Sequence, residues 1–266
     1  MRIVRDIASL REAGAALGPL AFVPTMGSLH TGHLSLVRLA RRQAAAVAVS
    51  IFVNRLQFAP SEDFARYPRN FDQDCRLLES EGVELLFAPD ESVLYPRPQT
   101  YLVKPGPLGD ELEGRFRPGF FYGVATVVLK LFNAVRPATA VFGKKDYQQL
   151  VIVREMTRQL DLPIAIVAGE TEREPDGLAM SSRNAYLSAP ERKEAPRLFR
   201  VLQNVAAAKM TAEFALQELT AAGWKPDYIE VRRRSDLAPA QASDDERVVL
   251  GAARLGATRL IDNVEF

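Results

Sequence analysis

Through its first 170 residues the chain alternates short apolar runs with longer amphipathic segments, and this alternation most restricts how it can fold. Runs rich in β-branched residues occupy 20–24 and 47–54, and a helix-like segment follows each of them. Short strands separated by helices indicate βαβ units and a mainly parallel sheet. The run at 47–54 is apolar enough to be buried on both faces. The sequence therefore predicts an α/β fold with a Rossmann-like parallel sheet.

The same pattern predicts the remaining elements of this region, with Pro24 ending the first strand and Pro137 ending a buried helix. Helices are predicted over 33–44, 72–81, 121–137 and 147–161, and strands over 83–89, 138–143 and 163–169.

After residue 170 the pattern changes. Helices are predicted over 189–209 and 211–223, and strands over 227–233, 247–254 and 258–266. A cluster of helices followed by strands is typical of an α+β domain. We therefore expect a Rossmann-like domain over 1–170 and a smaller α+β C-terminal domain over 171–266.

Composition narrows the classes of partner. The 266 residues carry a formal net charge of +1, which gives no general reason to expect nucleic acid or a membrane surface. The longest apolar run, 44–53, is about half the length needed to span a bilayer. The single cysteine, Cys75, cannot form an intramolecular disulfide, and the N-terminal segment lacks the apolar core of a signal peptide. We expect a cytoplasmic protein that binds small molecules.

Both histidines, His30 and His33, lie in the segment "TMGSLHTGH" at 25–33, between a predicted strand and a predicted helix. A helix N-terminus favours phosphate, and Gly27 and Gly32 allow close approach to the backbone. Two imidazoles there can donate to a phosphoryl group that gains charge in the transition state. The alternatives are a helix cap or surface histidine, or zinc, which a single cysteine and the lack of a third histidine disfavour.

Two other segments carry groups suited to phosphate. "FGKKDYQQL" puts Lys145 and Asp146 at a strand-to-helix junction, where a lysine can pair with phosphate and an aspartate can bind ribose or orient the lysine. "MSSRN", at 180–184, offers two hydroxyls and a guanidinium for a mobile phosphate clamp. The alternatives are a solvated surface charge pair for the first segment and a helix N-cap for the second.

The segment "VNRLQF" places Asn54 and Gln57 just past a buried strand. Uncharged amides can bind the hydroxyls and carboxylate of a small acid, and Phe58 with Val127 and Val128 can pack against its apolar part. A polar strand end is the alternative interpretation.

The motif His30-Thr31-Gly32-His33 resembles the HxGH signature of the nucleotidylyltransferase superfamily. The longer string "FVPTMGSLHTGHLSLVRLA" resembles the pantoate–β-alanine ligase family. Three further blocks, at 50–69, 117–150 and 173–188, and the C-terminal "LIDN" agree with that family in the same order. The resemblance covers essentially the whole chain.

The resemblance implies that pantoate is activated by ATP as pantoyl adenylate and then joined to β-alanine, with release of pyrophosphate and AMP. It implies a homodimer, an N-terminal domain that binds ATP and pantoate, and a C-terminal lid that carries the clamp. Mg²⁺ is expected mainly on phosphate oxygens and water, with Asp74 as a candidate protein ligand. The catalytic residues implied are His30, His33, Lys145 and Arg183. The ATP-binding residues implied are Met26, Gly27, Ser28, Leu29, His30, Thr31, Gly32, His33, Gly143, Lys144, Lys145, Asp146, Glu172, Met180, Ser181, Ser182 and Arg183. Those implied for pantoate and β-alanine are Pro24, Asn54, Gln57, Phe58 and Gln149, with Asn54 holding Gln57.

Four residues depart from the commonest family pattern: Arg55, Phe120, Lys144 and Glu172. None removes a group assigned to chemistry, and they bear on the shapes of the pantoate and adenine pockets. Two other functions are compatible with the motif: a different adenylyl or cytidylyl transferase, and a nucleotide-binding protein without catalysis.

Overall fold

The computed structural model describes residues 1–60 and 62–266. The chain forms two compact units. Unit 1 comprises Met1–Lys144 and Ile152–Gly169, and unit 2 comprises Lys145–Val151 and Glu170–Phe266. The different roles expected for 1–170 and 171–266 stay predictions.

Unit 1 contains a six-stranded parallel sheet, which confirms the predicted fold class. Its strands are β1 (Arg2–Val4), β2 (Leu20–Thr25), β3 (Ala46–Ile51), β4 (Leu85–Phe87), β5 (Thr139–Gly143) and β6 (Ala165–Gly169). Their order across the sheet is β1-β4-β3-β2-β5-β6. From β2 the chain adds β3 and β4 on one side and β5 and β6 on the other, and β1 lies at the edge beside β4. Only β1, a short edge strand, has no counterpart among the predicted strands.

The helices up to the end of the parallel sheet are α1 (Ile7–Leu17), α2 (Thr31–Arg41), α3 (Phe71–Ser80), α4 (Glu91–Leu94), α5 (Glu113–Phe116), α6 (Phe120–Val135) and α7 (Tyr147–Gln159). Short 3₁₀ turns occupy Arg55–Gln57, Asp63–Arg66, Pro107–Asp110 and Lys144–Asp146. The buried helix predicted before Pro137 is confirmed as α6. The helix ends at Val135, two residues before the proline. Arg136 caps it in a left-handed conformation (φ 54°), and the Arg136 N–H donates to the Phe132 carbonyl.

The strand order reverses between β2 and β5, where open α/β sheets bind ligands. These two strands pair only at Ala21 with Thr139 and at Phe22 with Ala140, so they are unpaired towards their carboxyl ends. Pro24, predicted to end β2, lies within it, in register with Ser50 of β3. The proline is tolerated because β2 has lost its partner on the β5 side by that point.

Unit 2 contains α8 (Ala189–Glu194), α9 (Arg197–Ala206), α10 (Ala212–Ala221) and the antiparallel strands β7 (Lys225–Arg233), β8 (Arg247–Leu255) and β9 (Thr258–Glu265). Its core includes Leu198, Leu202, Leu219 and Trp224. The prediction of one helix over 189–209 is wrong. Pro196 has no N–H to continue the helical hydrogen bonds, so α8 ends at Glu194 and α9 begins at Arg197.

Among the described residues, no helix combines the length and apolarity needed to cross a membrane.

Candidate active site

The turn that follows β2 has an unusual backbone. Gly27 (φ 80°) and Ser28 (φ 52°) both adopt positive φ, which glycine tolerates and serine rarely adopts. The Thr25 hydroxyl donates to the Ser50 carbonyl (2.7 Å) and accepts from the Gly27 N–H (3.2 Å), so it ties the turn to β3. A side chain at position 27 would lie 3.0 Å from both Asp74 Oδ2 and Ile51 Cγ2. Only glycine fits position 27 without strain.

Asp74, on α3, fixes the turn through hydrogen bonds to its backbone. Its two oxygens accept the N–H groups of Ser28 and Leu29, each at 2.8 Å, and the residue is 1% exposed. Burial raises the pKa of Asp74, and the two backbone hydrogen bonds oppose that rise. The role of Asp74 as a magnesium ligand stays a prediction. It is disfavoured because both carboxylate oxygens already accept backbone N–H groups.

The two histidines occupy the first turn of α2. His30 is the N-cap residue, and its N–H donates to His33 Nδ1 (3.3 Å). An Nδ1 that accepts a hydrogen bond carries no proton, so neutral His33 has its proton on Nε2. The ring centroids lie 4.0 Å apart. The imidazoles therefore form one pair at a helix N-terminus, beside the point where β2 and β5 separate.

Asn54, 1% exposed, lies between β3 and the 3₁₀ turn and fixes the side chain of Gln57. Its amide nitrogen donates to Gln57 Oε1 and to the Gly123 carbonyl, both at 3.1 Å. Its oxygen accepts from the Tyr95 hydroxyl (2.8 Å). Gln57 Nε2 in turn contacts Met26 Sδ (3.3 Å). Gln57 is thus oriented by neutral groups, and burial raises the pKa of Tyr95, which keeps this hydroxyl protonated.

Helix α6 approaches the backbone of the same turn closely. A Cβ at Gly123 would lie 2.3 Å from the Leu56 carbonyl oxygen and 2.7 Å from the Gln57 nitrogen. Arg117 donates to the Gln57 carbonyl (3.3 Å) and pairs with Glu62 (2.6 Å). These contacts fix the backbone that carries Gln57.

Two of the four departures from the family pattern have local partners in this region. Arg55 is exposed, pairs with Glu91 (3.1 Å) and lies over the Phe64 ring (4.2 Å). Phe120 lies beneath the Arg117 guanidinium (3.7 Å). Phe58, expected at the pantoate pocket, packs edge-on against Phe64.

In unit 2, the segment Lys145–Val151 carries Lys145 and the half-buried Gln149 at the start of α7. The Lys145 carbonyl accepts from Asn263 Nδ2 (3.1 Å), and Lys145 Nζ lies 3.9 Å from Asp146 Oδ2. The Tyr147 hydroxyl donates to Glu265 Oε1 (2.8 Å). The lysine is therefore on a short helical turn bonded to β9.

The "MSSRN" segment follows a small hairpin, which we name the clamp hairpin and define as residues 172–180. Arg173 and Ala179 pair across it, and its turn ends at Gly177 (φ 92°). The Ser181 hydroxyl accepts the Arg183 N–H (3.2 Å), as the helix-cap alternative expects. A hydroxyl that accepts one bond retains its hydrogen to donate elsewhere, so capping does not preclude phosphate binding.

Unit 1 thus brings together the residues predicted at 24–33, 54, 57 and 58, and unit 2 those at 145–149 and 172–183. Tyr95, Gly123 and Arg117 were not predicted. No local motif marks them, since each acts through a contact distant in sequence. Within the chain apart from Ser61, no three histidine, cysteine, aspartate or glutamate side chains form a group that could hold a metal ion.

Fold and site geometry together are typical of an α/β enzyme, with the paired histidines beside the switch point of a parallel sheet. The family model described as pantoate-beta-alanine ligase matches residues 2–265, and this protein belongs to that family of ligases. The family's activity is the condensation of pantoate with β-alanine.

Relatives and solved structures agree. A pantothenate synthetase from Nitrosospira multiformis is 58% identical, covering 100% of this chain and 98% of that protein. One from Thiobacillus denitrificans is 56% identical, covering 100% of this chain and 97% of that protein. The crystal structure of the pantothenate synthetase from Thermus thermophilus matches with TM-score 0.92 at 46% identity, over 99% of both chains. The pantoate-beta-alanine ligase from Francisella tularensis, solved with beta-gamma ATP and beta-alanine, matches with TM-score 0.87 at 32% identity, over 99% of this chain and 97% of that one.

Proposed function

We propose that this protein performs the family's reaction in two steps on ATP, through an enzyme-bound pantoyl adenylate. The observation that carries the proposal is the paired histidines at the N-terminus of α2, beside the ends of β2 and β5. The relative from Francisella tularensis that was solved with an ATP compound supports ATP as the nucleotide.

In the first step a pantoate carboxylate oxygen attacks the α-phosphorus of ATP. An O–P bond forms, the bond from the α-phosphorus to the bridging oxygen breaks, and pyrophosphate leaves with that electron pair. In the second step the neutral amine of β-alanine attacks the acyl carbon. A C–N bond forms, the C–O bond to AMP breaks, and the amine proton passes to solvent. A carboxylate is a poor acyl donor to an amine, and adenylation supplies the leaving group that the second step needs.

His30 and His33 are proposed to donate to the phosphoryl oxygens as charge builds up. The hydrogen bond from the His30 N–H to His33 Nδ1 supports an Nε2–H donor on His33, with no change of protonation needed during the reaction. Lys145 and Arg183 are proposed to offset the same charge.

Gln57 and Gln149 are proposed to bind pantoate, with Pro24, Asn54 and Phe58 shaping the pocket. The contacts of Asn54 with Gln57 support this role for Gln57, because they hold a neutral side chain in one orientation. A neutral pocket does not hold the carboxylate as tightly as a cation would, and this leaves the carboxylate reactive towards phosphorus.

The remaining residues proposed for ATP are Met26, Gly27, Ser28, Leu29, Thr31, Gly32, Gly143, Lys144, Asp146, Glu172, Met180, Ser181 and Ser182. The described residues offer no protein cage for Mg²⁺. We propose that the ion arrives on the ATP phosphates and keeps mainly phosphate and water ligands, as Mg²⁺ usually does. A homodimer is proposed on the family resemblance alone, and light scattering after gel filtration tests the oligomeric state. A cytoplasmic location is proposed from the single cysteine and from an N-terminal segment without the apolar core of a signal peptide.

Product analysis tests the proposed function. ATP, pantoate and β-alanine should give pantothenate, AMP and pyrophosphate in equal amounts. A dinucleotide-like product would instead indicate a different adenylyl or cytidylyl transferase, and ATP binding without turnover would indicate a non-catalytic protein.

The order of steps is tested with ATP labelled at the α,β-bridge oxygen, which becomes a non-bridging oxygen of pyrophosphate when its bond to the α-phosphorus breaks. Positional isotope exchange should occur with pantoate present and β-alanine omitted, because the adenylate forms before the amine reacts. Exchange that required β-alanine would exclude the adenylate as a separate intermediate.

A further inference from the structure

The motif "LIDN" near the C-terminus has no role in the proposed function so far, yet it contains a buried charge. Asp262 on β9 is 5% exposed and accepts two hydrogen bonds from Arg173, at 2.6 and 2.8 Å. Buried ion pairs are often no more stabilising than well-packed apolar side chains, so stability alone gives little reason for this one. A positioning role is the other reason to place such a pair in a core.

Arg173 connects this carboxylate to the clamp hairpin. Besides Asp262 it donates to the Gly177 carbonyl in the hairpin turn (3.0 Å) and to the Asn263 carbonyl (3.2 Å). Its guanidinium also lies over the Phe199 ring (3.6 Å). One arginine therefore fixes the first strand and the turn of the hairpin, and the second strand leads directly into "MSSRN".

The next residue, Asn263, bonds to the other phosphate segment. Its Nδ2 donates to the Lys145 carbonyl (3.1 Å), and its own N–H donates to Asp262 Oδ1 (2.7 Å). Successive side chains of a strand point to opposite faces, so neighbouring residues can hold two different segments. Asp262 and Asn263 therefore link the clamp hairpin to the turn that carries Lys145, entirely within unit 2.

We propose that Asp262 and Asn263 are positioning residues for adenylation: they hold Lys145 and the residues after the clamp hairpin in the fixed relation that binding of the ATP phosphates requires. This inference rests on the proposed function, in which Lys145 and Ser181 to Arg183 bind those phosphates. It predicts defects in the ATP-dependent step and none in pantoate binding.

The test is a double-mutant cycle on pyrophosphate release from ATP and pantoate in a single turnover. Asn263→Ala should slow release about 5- to 10-fold and raise the KM for ATP, with the KM for pantoate unchanged, because one neutral hydrogen bond is lost. In a Lys145→Ala background, Asn263→Ala should slow release less than twofold further, because its effect passes through Lys145. If the effects of Asn263→Ala and Lys145→Ala on the rate multiplied, or if the KM values for ATP and pantoate rose equally, Asn263 would have only a general structural role and the proposal would be overturned.

Asp227→Asn is the matched control. It removes the ion pair between Asp227 and Arg259 (2.7 Å), which joins β7 to β9 in the same sheet, and should leave the ATP step unchanged. An equal loss in this control would also overturn the positioning role. Should Asn263→Ala fail to fold, Arg173→Lys carries the same cycle with Arg183→Ala, since lysine keeps the charge and loses the bidentate geometry.

Pyrophosphate release by the wild-type protein distinguishes failure of the proposed function from failure of the positioning role. If the wild-type protein releases no pyrophosphate from ATP and pantoate, the proposed function fails. If it does so and the cycle is multiplicative, only the positioning role fails.

Discussion

Gln57, proposed to bind pantoate, and the clamp hairpin, proposed to position a phosphate clamp, are held by different chemistry. In unit 1 the Gln57 side chain is oriented by an amide and, through that amide, by a phenol. In unit 2 the clamp hairpin is anchored by the buried ion pair between Arg173 and Asp262. The contrast matches the ligands proposed. A carboxylate that must react benefits from neutral partners, and a triphosphate is held by cationic segments that need firm, directional anchors.

The largest effect expected in unit 1 concerns His33. His33→Asn can keep an acceptor for the His30 N–H but loses the Nε2 donor, so adenylate formation should fall by about 100-fold or more while the fold is retained. Rapid-quench measurement of adenylate in a single turnover checks this. His33→Ala should be equally slow and also less stable, because it loses the cap contact. A near-normal rate in the asparagine variant would remove His33 from the chemistry.

Gly123 tests how much the position of Gln57 depends on the close approach of α6 to the turn that carries Gln57. Gly123→Ala puts a methyl group 2.3 Å from the Leu56 carbonyl, so α6 or the 3₁₀ turn must shift, at about 1–3 kcal/mol in stability. The KM for pantoate should rise and that for ATP should not. Gly14→Ala in α1 is the control, because its Cβ would meet only the end of the Leu20 side chain, at 3.3 Å. Equal behaviour of the two variants in urea unfolding and in KM would contradict this account.

Asp74 separates a structural carboxylate from a metal ligand. Asp74→Asn presents an NH₂ group to one of the two backbone N–H donors and should lower the free energy of unfolding by about 1–3 kcal/mol. Burial raises the folded-state pKa of Asp74 above its ordinary value of 3.8. Between the unfolded-state and folded-state pKa values the folded protein therefore binds more protons than the unfolded chain. The contribution of Asp74 to the free energy of unfolding decreases as the pH rises through this range. The deficit of the variant should therefore be larger at mildly acidic than at neutral pH. Added Mg²⁺ should restore neither stability nor rate, whereas rescue by Mg²⁺ would favour the metal role.

Tyr95 gives the smallest effect and the sharpest test of the neutral network. Tyr95→Phe removes the hydroxyl that donates to Asn54, and the KM for pantoate should rise by the equivalent of about 0.5–1.5 kcal/mol. Gln57→Ala should cost more, about 1–3 kcal/mol, because it leaves a pantoate group unpaired. In the Gln57→Ala background Tyr95→Phe should have almost no further effect. Calorimetric titration with ATP should be unchanged in both variants, and a loss of ATP binding would show that Gln57 and Tyr95 also act on ATP.

The sequence predicted strands β2 to β6 and helices α2, α3, α6 and α7 in the right order, because strand and helix periodicities are local properties, but it missed the short edge strand β1 and helix α1. It was less reliable where a single proline decided the outcome. Pro24 lies within β2, since the loss of β5 as a partner makes a proline acceptable there. Pro196 divides the helix predicted over 189–209, and local propensity alone could have shown this.

The candidate site divides in the same way. The sequence by itself identified the histidine pair, the amides of Asn54 and Gln57 and the lysine turn, because the functional groups lie within short motifs. Only the tertiary structure revealed what holds them: Asp74 under the histidine turn, Tyr95 behind Asn54, and Asn263 on the Lys145 carbonyl. These partners lie 41 to 118 residues from the groups they hold, and hydrogen bonds over such separations leave no periodic trace in the sequence. Chemistry that resides in a motif can be inferred from the order of residues, whereas its positioning depends on which distant backbones and side chains the fold brings within about 3 Å of one another.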